Sequence, residues 1–166
     1  MKLQRNLGSF RDPSGQIYEF NKRIIRIIKK SGAKRYNHLK SIKIIEESIN
    51  NRFLIQTKDV TDEFKKTNDD QNNFYYLEHE RLDYISYPYE WSFYQLKDAA
   101  LHHLNFQLFL LDKDCILIDS SAFNIQFNNN KPIFIDLLSI DKYESGDYWK
   151  GHSQFLQQFL NPLLLK

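Results

Sequence analysis

An α+β fold is what the sequence predicts for these 166 residues, and three observations carry it. β-rich runs lie in both halves of the chain, in "QIYEFNKRIIRII" and in "ILIDSSAFNIQFNNNKPIFI". Two segments, 36–51 and 93–111, repeat apolar residues at three- and four-residue steps, as amphipathic helices do. Composition agrees: 42% hydrophobic and 27% charged residues are ordinary globular usage, enough to bury a core rather than stay disordered.

Each element follows from local chemistry. Asp12, Pro13 and Gly15 stand at the first, second and fourth positions of a type I turn. Ile17 to Phe20 and Arg23 to Ile28 read as strands, with Asn21-Lys22 as a two-residue hairpin connection. Gly32 is expected to break the pattern before a single helix from Tyr36 to about Asn51, carried by Leu39, Ile42, Ile45 and Ile49. "RFLIQ" reads as a short strand, and "TKDVTDEFKKTNDDQNN" as mainly loop with room for one helical turn. "FYYLEHERLDYISYPYEW" predicts one or two strands ending near Pro88. Ser92 and Gln95 make a capping box, and Phe93, Leu96, Ala100, Leu104, Leu108 and Leu111 form the expected buried stripe of the helix it starts. That helix ends near Asp112-Lys113, and strands "ILI", "IQF" and "IFI" follow, the last two joined by a turn at "NNNKP". "GHSQFLQQFLNPLLLK" is helical in period.

Several function classes are set aside by the bulk numbers. A net charge of +2, pI about 8.5 and mixed signs along the chain argue against a nucleic-acid partner. No apolar run reaches the roughly 18 residues that cross a bilayer, and "MKLQRNLGSF" has no apolar core of a signal peptide. The expectation is a cytoplasmic protein without a membrane partner. The single Cys115, in "DCILID", reads as a small buried hydrophobe rather than a redox thiol. No Cys-x-x-Cys, Gly-x-Ser-x-Gly or Walker-type loop is present.

One constellation carries chemistry. Asp119 is followed five residues on by Asn124 and twelve further by Asp136, with a predicted hairpin between the last two. Phosphoryl transfer needs a carboxylate to orient the acceptor hydroxyl, and magnesium takes hard oxygen ligands beside phosphates and water. Protein kinases place an Asp and an Asn five apart in their catalytic loop, and a second metal-binding Asp after a hairpin. On that pattern Asp119 is the candidate base, and Asn124 and Asp136 are candidate magnesium ligands, with ATP as the nucleotide. The competing assignment gives all three residues turn and strand-end duties. The order of elements, hairpin, helix, aromatic strand, long helix, loop and hairpin, favours an incomplete protein-kinase-like domain with lobe-like parts 1–88 and 89–166, the second expected to be cut short.

Departures from the pattern are plain. Leu117 stands two before Asp119 where kinases carry His, and Leu137-Leu138 replace Phe-Gly after the second Asp. Only Gly8 and Gly15 serve the N-terminal hairpin, a poor phosphate cover, and no lysine stands out as the phosphate-pairing one. "YISYPYEWSF" is expected to pack through Tyr87, Tyr89 and Trp91, the competing assignment being a crossover against which an adenine ring lies. His102 and His103 point about a hundred degrees apart on a helix, cannot chelate one metal, and are expected to be partly exposed.

The stretches "FRDPSGQIYEFNKRI", "ISYPYEWSFYQLKDAALHHL", "DSSAFNIQFNNNKPIFIDLLSIDKYESGDYW" and "QFLQQFLNPLLL" resemble the N-terminal region of a bacterial family. Its members are described as class I S-adenosylmethionine-dependent methyltransferases, some linked by name to nodulation proteins. The resemblance runs from Phe10 onward and implies a methyltransferase domain beyond this region. SAM belongs to that separate domain, and no methyl-transfer residue is carried over here. The expected function is a transferase segment whose kinase-like part binds magnesium and nucleotide. The alternative is a pseudokinase-like module that positions a methyltransferase domain or partner chain and transfers nothing. Phe155, Leu156, Phe159, Leu160 and Leu163 to Leu165 either complete a small core or offer a surface for self-association.

Overall fold

The computed structural model describes residues 4–5, 14–65 and 73–165 and divides into two units. Unit 1 comprises residues 1–42 and 55–81, unit 2 residues 43–54 and 82–166. The predicted turn at Asp12-Pro13 and the glycine Gly8 lie outside the described residues.

Unit 1 is a five-stranded antiparallel sheet in the order β1-β2-β3-β5-β4. The strands are β1 (Gln4–Arg5), β2 (Gly15–Phe20), β3 (Arg23–Lys29), β4 (Thr57–Asp59) and β5 (Asn73–His79). β2 and β3 form the predicted hairpin, with Phe20 opposite Arg23. Asn21 and Lys22 both take positive φ, 48° and 66°, the conformation that matches a two-residue turn to the twist of its strands. Ile25 and Ile27 pack with Val60, Phe64 and Tyr76 into one core under Tyr18 and Phe20. Phe64 belongs to a short helix, α3 (Thr61–Lys65). At this face Arg23 donates Nε and Nη2 to Glu78 at 2.8 Å each and also reaches Glu63. β4 and α3 occupy a stretch expected to be mostly loop. β4 carries no apolar residue and joins the sheet edge through backbone pairing to β5, so periodicity could not show it.

The expected helix 36–51 is two helices. α1 (Lys30–Ser41) starts before Gly32, and α2 (Ile44–Asn50) follows a left-handed Lys43 with φ 57°. Gly32 does not break the pattern but permits it. A Cβ there would lie 2.9 Å from the Ser14 backbone oxygen and 3.0 Å from Ile28 Cγ2. Close approach of helix to sheet needs glycine, and that need outweighs its poor helix propensity.

Unit 2 is organised by α4 (Phe93–Leu111), opened by the predicted Ser92–Gln95 capping box. Its buried face is rotated from the expected stripe: Leu96, Ala99, Ala100, His103, Phe106, Gln107 and Leu110 are inside, while Phe93 and Leu108 are exposed. Phe53 stacks on Phe106 at 5.2 Å and its carbonyl accepts from Phe134 N. "RFLIQ" therefore contributes one parallel bridge, Leu54 to Phe134, and no named strand. β6 (Cys115–Leu117) pairs with β9 (Ile140–Lys142), and β7 (Ile125–Asn128) with β8 (Lys131–Phe134). Asn129 and Asn130 again both take positive φ in the tight β7–β8 turn. Cys115 is fully buried as expected, and burial pushes its thiol up to about 11.

The last segment runs through α5 (His152–Phe155), a π-helical stretch Leu156–Leu160 and α6 (Asn161–Leu164). Phe155 and Phe159 pack inward, whereas Leu160, Leu164 and Leu165 are exposed. Trp91 is buried, with Nε1 donating to Ser86 Oγ at 2.8 Å, but Tyr87 and Tyr89 stack on each other in the open. No helix among the described residues is long and apolar enough to cross a membrane.

Candidate functional site

Two strand pairs in unit 2 bring the predicted site residues to neighbouring loop ends. Leu117, last in β6, opposes Ile140, first in β9, and Ile118 N–H donates to Ser139 O at 2.8 Å. Asp119 therefore opens its loop beside Ser139. At the foot of the β7–β8 hairpin Ile125 opposes Phe134, and Ile135 N–H donates to Asn124 O at 2.8 Å. Asn124 thus lies across the hairpin from the start of the Asp136 turn.

Ser139 joins the two sides. Asn124 Nδ2 donates to Ser139 Oγ at 3.3 Å, and that hydroxyl donates to Asp136 Oδ2 at 2.6 Å. Asp136 Oδ1 accepts from Leu138 N at 3.3 Å, capping the 3₁₀ turn Leu137–Ser139. Ser139 is buried, and Asn124 and Asp136 are half-buried. Asp119 is held separately: its Oδ1 accepts from Ser121 N–H at 2.9 Å, an Asx turn that fixes its own loop. The structure brings Asn124 and Asp136 together at one hydroxyl and places Asp119 in the adjoining loop, with its hydrogen bond directed to Ser121.

The loop from 117 to 122 is gripped by residues that sequence reasoning missed. Gln154 Oε1 accepts from Ser120 N at 2.8 Å, and Gln158 Oε1 accepts from Ala122 N at 2.8 Å and Ser121 Oγ at 3.3 Å. Trp149 Nε1 donates to the Leu117 carbonyl at 3.0 Å, and Gln107 Oε1 accepts from Leu117 N at 2.9 Å. His103, expected to be partly exposed, is fully buried with Nε2 3.1 Å from Ser120 Oγ. His102 is half-buried against the Phe53 carbonyl at 3.0 Å. Burial lowers both imidazoles, His103 to about 3. The two glutamines, four residues apart on a polar-looking helix face, were the one available signal.

Among the described residues, no three His, Cys, Asp or Glu side chains cluster as a metal site. The donors gathered at Ser139 are one carboxylate and one amide. That is a hard-oxygen set of the size magnesium uses when phosphates and water complete its shell. Because the Asn124 nitrogen is turned to Ser139, its oxygen is the atom left to meet a cation. The donor chemistry fits magnesium.

Unit 1 does not complete the kinase pattern that the sequence suggests. The buried cation of β3 is an arginine, Arg26, whose Nε lies 3.3 Å from His79 Nε2. α1, "KSGAKRYNHLKS", contains no acidic residue, so it cannot supply the carboxylate that kinases pair with a third-strand lysine.

No family model matches the chain. Over 163 residues, 98% of its length, it is 42% identical to the nodulation protein NoeA of Rhizobium meliloti (strain 1021). The chain spans 33% of the length of that relative. A solved structure, that of vaccinia related kinase 3, aligns with 90% of this chain and 50% of its own at 15% identity, with a TM-score of 0.48. The similarity to a nodulation protein agrees with that part of the sequence resemblance. The methyltransferase description rests on the resemblance alone.

Proposed function

We propose that this chain is a kinase-like magnesium–nucleotide-binding module of a nodulation-type protein, working beside a methyltransferase portion. The observation that carries the reading is the Asn124–Ser139–Asp136 linkage, which joins a side-chain amide and a carboxylate through one hydroxyl. Bound magnesium would neutralise charge on a nucleotide's phosphates there. Asp119, oriented by Ser121, is the group that would take a proton from an acceptor hydroxyl. A second reading, a pseudokinase-like module that binds without transfer, is favoured by Leu117 and by the absence of an acidic residue on α1.

The first reading requires Mg·ATP to stabilise unit 2, and no shift at millimolar ATP would leave only the second. At a hundredfold excess over Kd a ligand specific for the folded state adds about 2.7 kcal/mol, which raises Tm by several degrees. Asp136→Asn should abolish that rise. It keeps an acceptor for Leu138 N–H and removes the charge, whereas Asp136→Ala also strips the turn of its cap at a cost of about 1 kcal/mol. Equal Mg·ATP shifts in the wild type and Asp136→Asn would refute the site. A wild-type shift without phosphate release would select the second reading.

A further inference from the structure

His103 is the described buried side chain with an unpartnered polar atom, Nδ1. Its ring is enclosed by Phe134, Trp149, Phe155 and Phe159, with centroids 5.5 to 5.9 Å away. A histidine serving only to fill such a cage would be poorly chosen, because a buried polar atom without a partner is destabilising. What the imidazole supplies that a phenyl ring would not is the Nε2 contact to Ser120 Oγ at 3.1 Å. An orphaned N–H costs more than an orphaned lone pair. The tautomer that fits is therefore Nε2–H, donating to Ser120, with Nδ1 as the bare nitrogen.

Ser120 directly follows Asp119, and its backbone N–H is already fixed by Gln154. Gly151 packs so tightly on the serine that an added Cβ would lie 1.9 Å from Oγ. The hydroxyl thus has little freedom, and its bond to His103 ties the Asp119 loop to the middle of α4.

We infer that His103 is the positioning residue for Asp119, delivered from α4 in place of the loop histidine that kinases carry two residues before their catalytic Asp. The inference rests on Asp119 having the role proposed above. Leu117 occupies the loop position and is fully buried, so the loop itself offers no imidazole. The support comes instead from α4, fourteen residues earlier in the chain.

The test is amide hydrogen exchange on the full chain without ligand, so that its outcome is independent of Mg·ATP binding. His103→Phe keeps an aromatic ring in the cage and removes the donor. His103→Gln loses the ring but can place an amide N–H where Nε2 stood. A positioning role predicts that Ser121 and Ala122 amides exchange about tenfold faster or more in His103→Phe, while His103→Gln retains protection there. Amides of α4 should keep wild-type protection in both. Nitrogen-15 spectra of the wild-type ring should show Nε2 protonated, and that signature should shift in Ser120→Ala. Wild-type loop protection in His103→Phe, or loss in His103→Gln alone, would show a packing role and overturn the inference. If either His103 variant fails to fold, Ser120→Ala decides. The same loosening of Ser121 and Ala122 supports the inference, and unchanged protection overturns it.

Discussion

Lowering the pH from 7 to 4.5 should destabilise unit 2 by roughly 2 to 3 kcal/mol through His103 alone. The imidazole is fully buried, and burial holds it near 3 against an ordinary value of 6.5. Between those values the unfolded chain binds a proton that the folded chain refuses. The unfolded state then carries more protons, so stability rises with pH and falls as acid is added. The loss starts below pH 6.5 and would saturate only near pH 3. Carboxylates in unit 1 act in the same direction. Burial raises Asp59, but hydrogen bonds from Lys40 and Thr61 outweigh it and leave the group below its usual range. The Arg23 fork likewise lowers Glu78, against a smaller effect of burial. Comparison with His103→Phe separates the contributions, since that variant should have a flatter profile between 6.5 and 4.5. Both tryptophans, Trp91 and Trp149, lie in unit 2, so urea unfolding followed by their fluorescence reports the right unit. Parallel pH profiles for wild type and His103→Phe would show that the imidazole does not stay neutral.

Gly151→Ala should cost about 3 kcal/mol or more, one of the largest single-methyl effects in the chain. Gly151 has φ −79° and ψ −3°, a conformation that alanine adopts freely, so backbone strain contributes nothing. The cost is steric. The new Cβ would lie 1.9 Å from Ser120 Oγ, 2.9 Å from Ser120 Cβ and 2.9 Å from Trp149 Nε1. Rotating the serine hydroxyl away relieves only the first of these and breaks its contact with His103. Removing the serine side chain should relieve two of the three, so Gly151→Ala made in a Ser120→Gly background should cost about 2 kcal/mol less than in the wild type. Additive costs in that double-mutant cycle, measured by urea unfolding, would mean that the loop moves aside without resistance.

Much of the fold is legible because local rules act alone there. The turns at Asn21-Lys22 and Asn129-Asn130, and the Ser92–Gln95 box, depend only on residues a few positions apart. α1 and the face of α4 were misread where distant partners reverse the local rule. Gly32 is tolerated in a helix because Ser14 approaches it, and His103 and Gln107 are tolerated inside because Ser120 and the Leu117 amide receive them. Counting leucines favoured Leu108, which is exposed, over two polar residues whose partners lie 10 and 17 positions away.

The site divides the same way. Asn124 and Asp136 could be read together because a hairpin of known length connects them. Ser139 has no motif that would mark it, yet it is the atom-level link between them. Gln154 and Gln158 act from 34 to 37 residues away, beyond any spacing rule.

The claim that Asn124 and Asp136 share a cation is tested most directly with manganese, a paramagnetic stand-in for magnesium, added with ADP and observed by NMR. The account predicts that sub-stoichiometric manganese broadens the Asn124 side-chain amide and the Leu138 and Ser139 backbone amides first, and that Asp136→Asn prevents it. Broadening that starts elsewhere, or that persists unchanged in Asp136→Asn, would contradict the site.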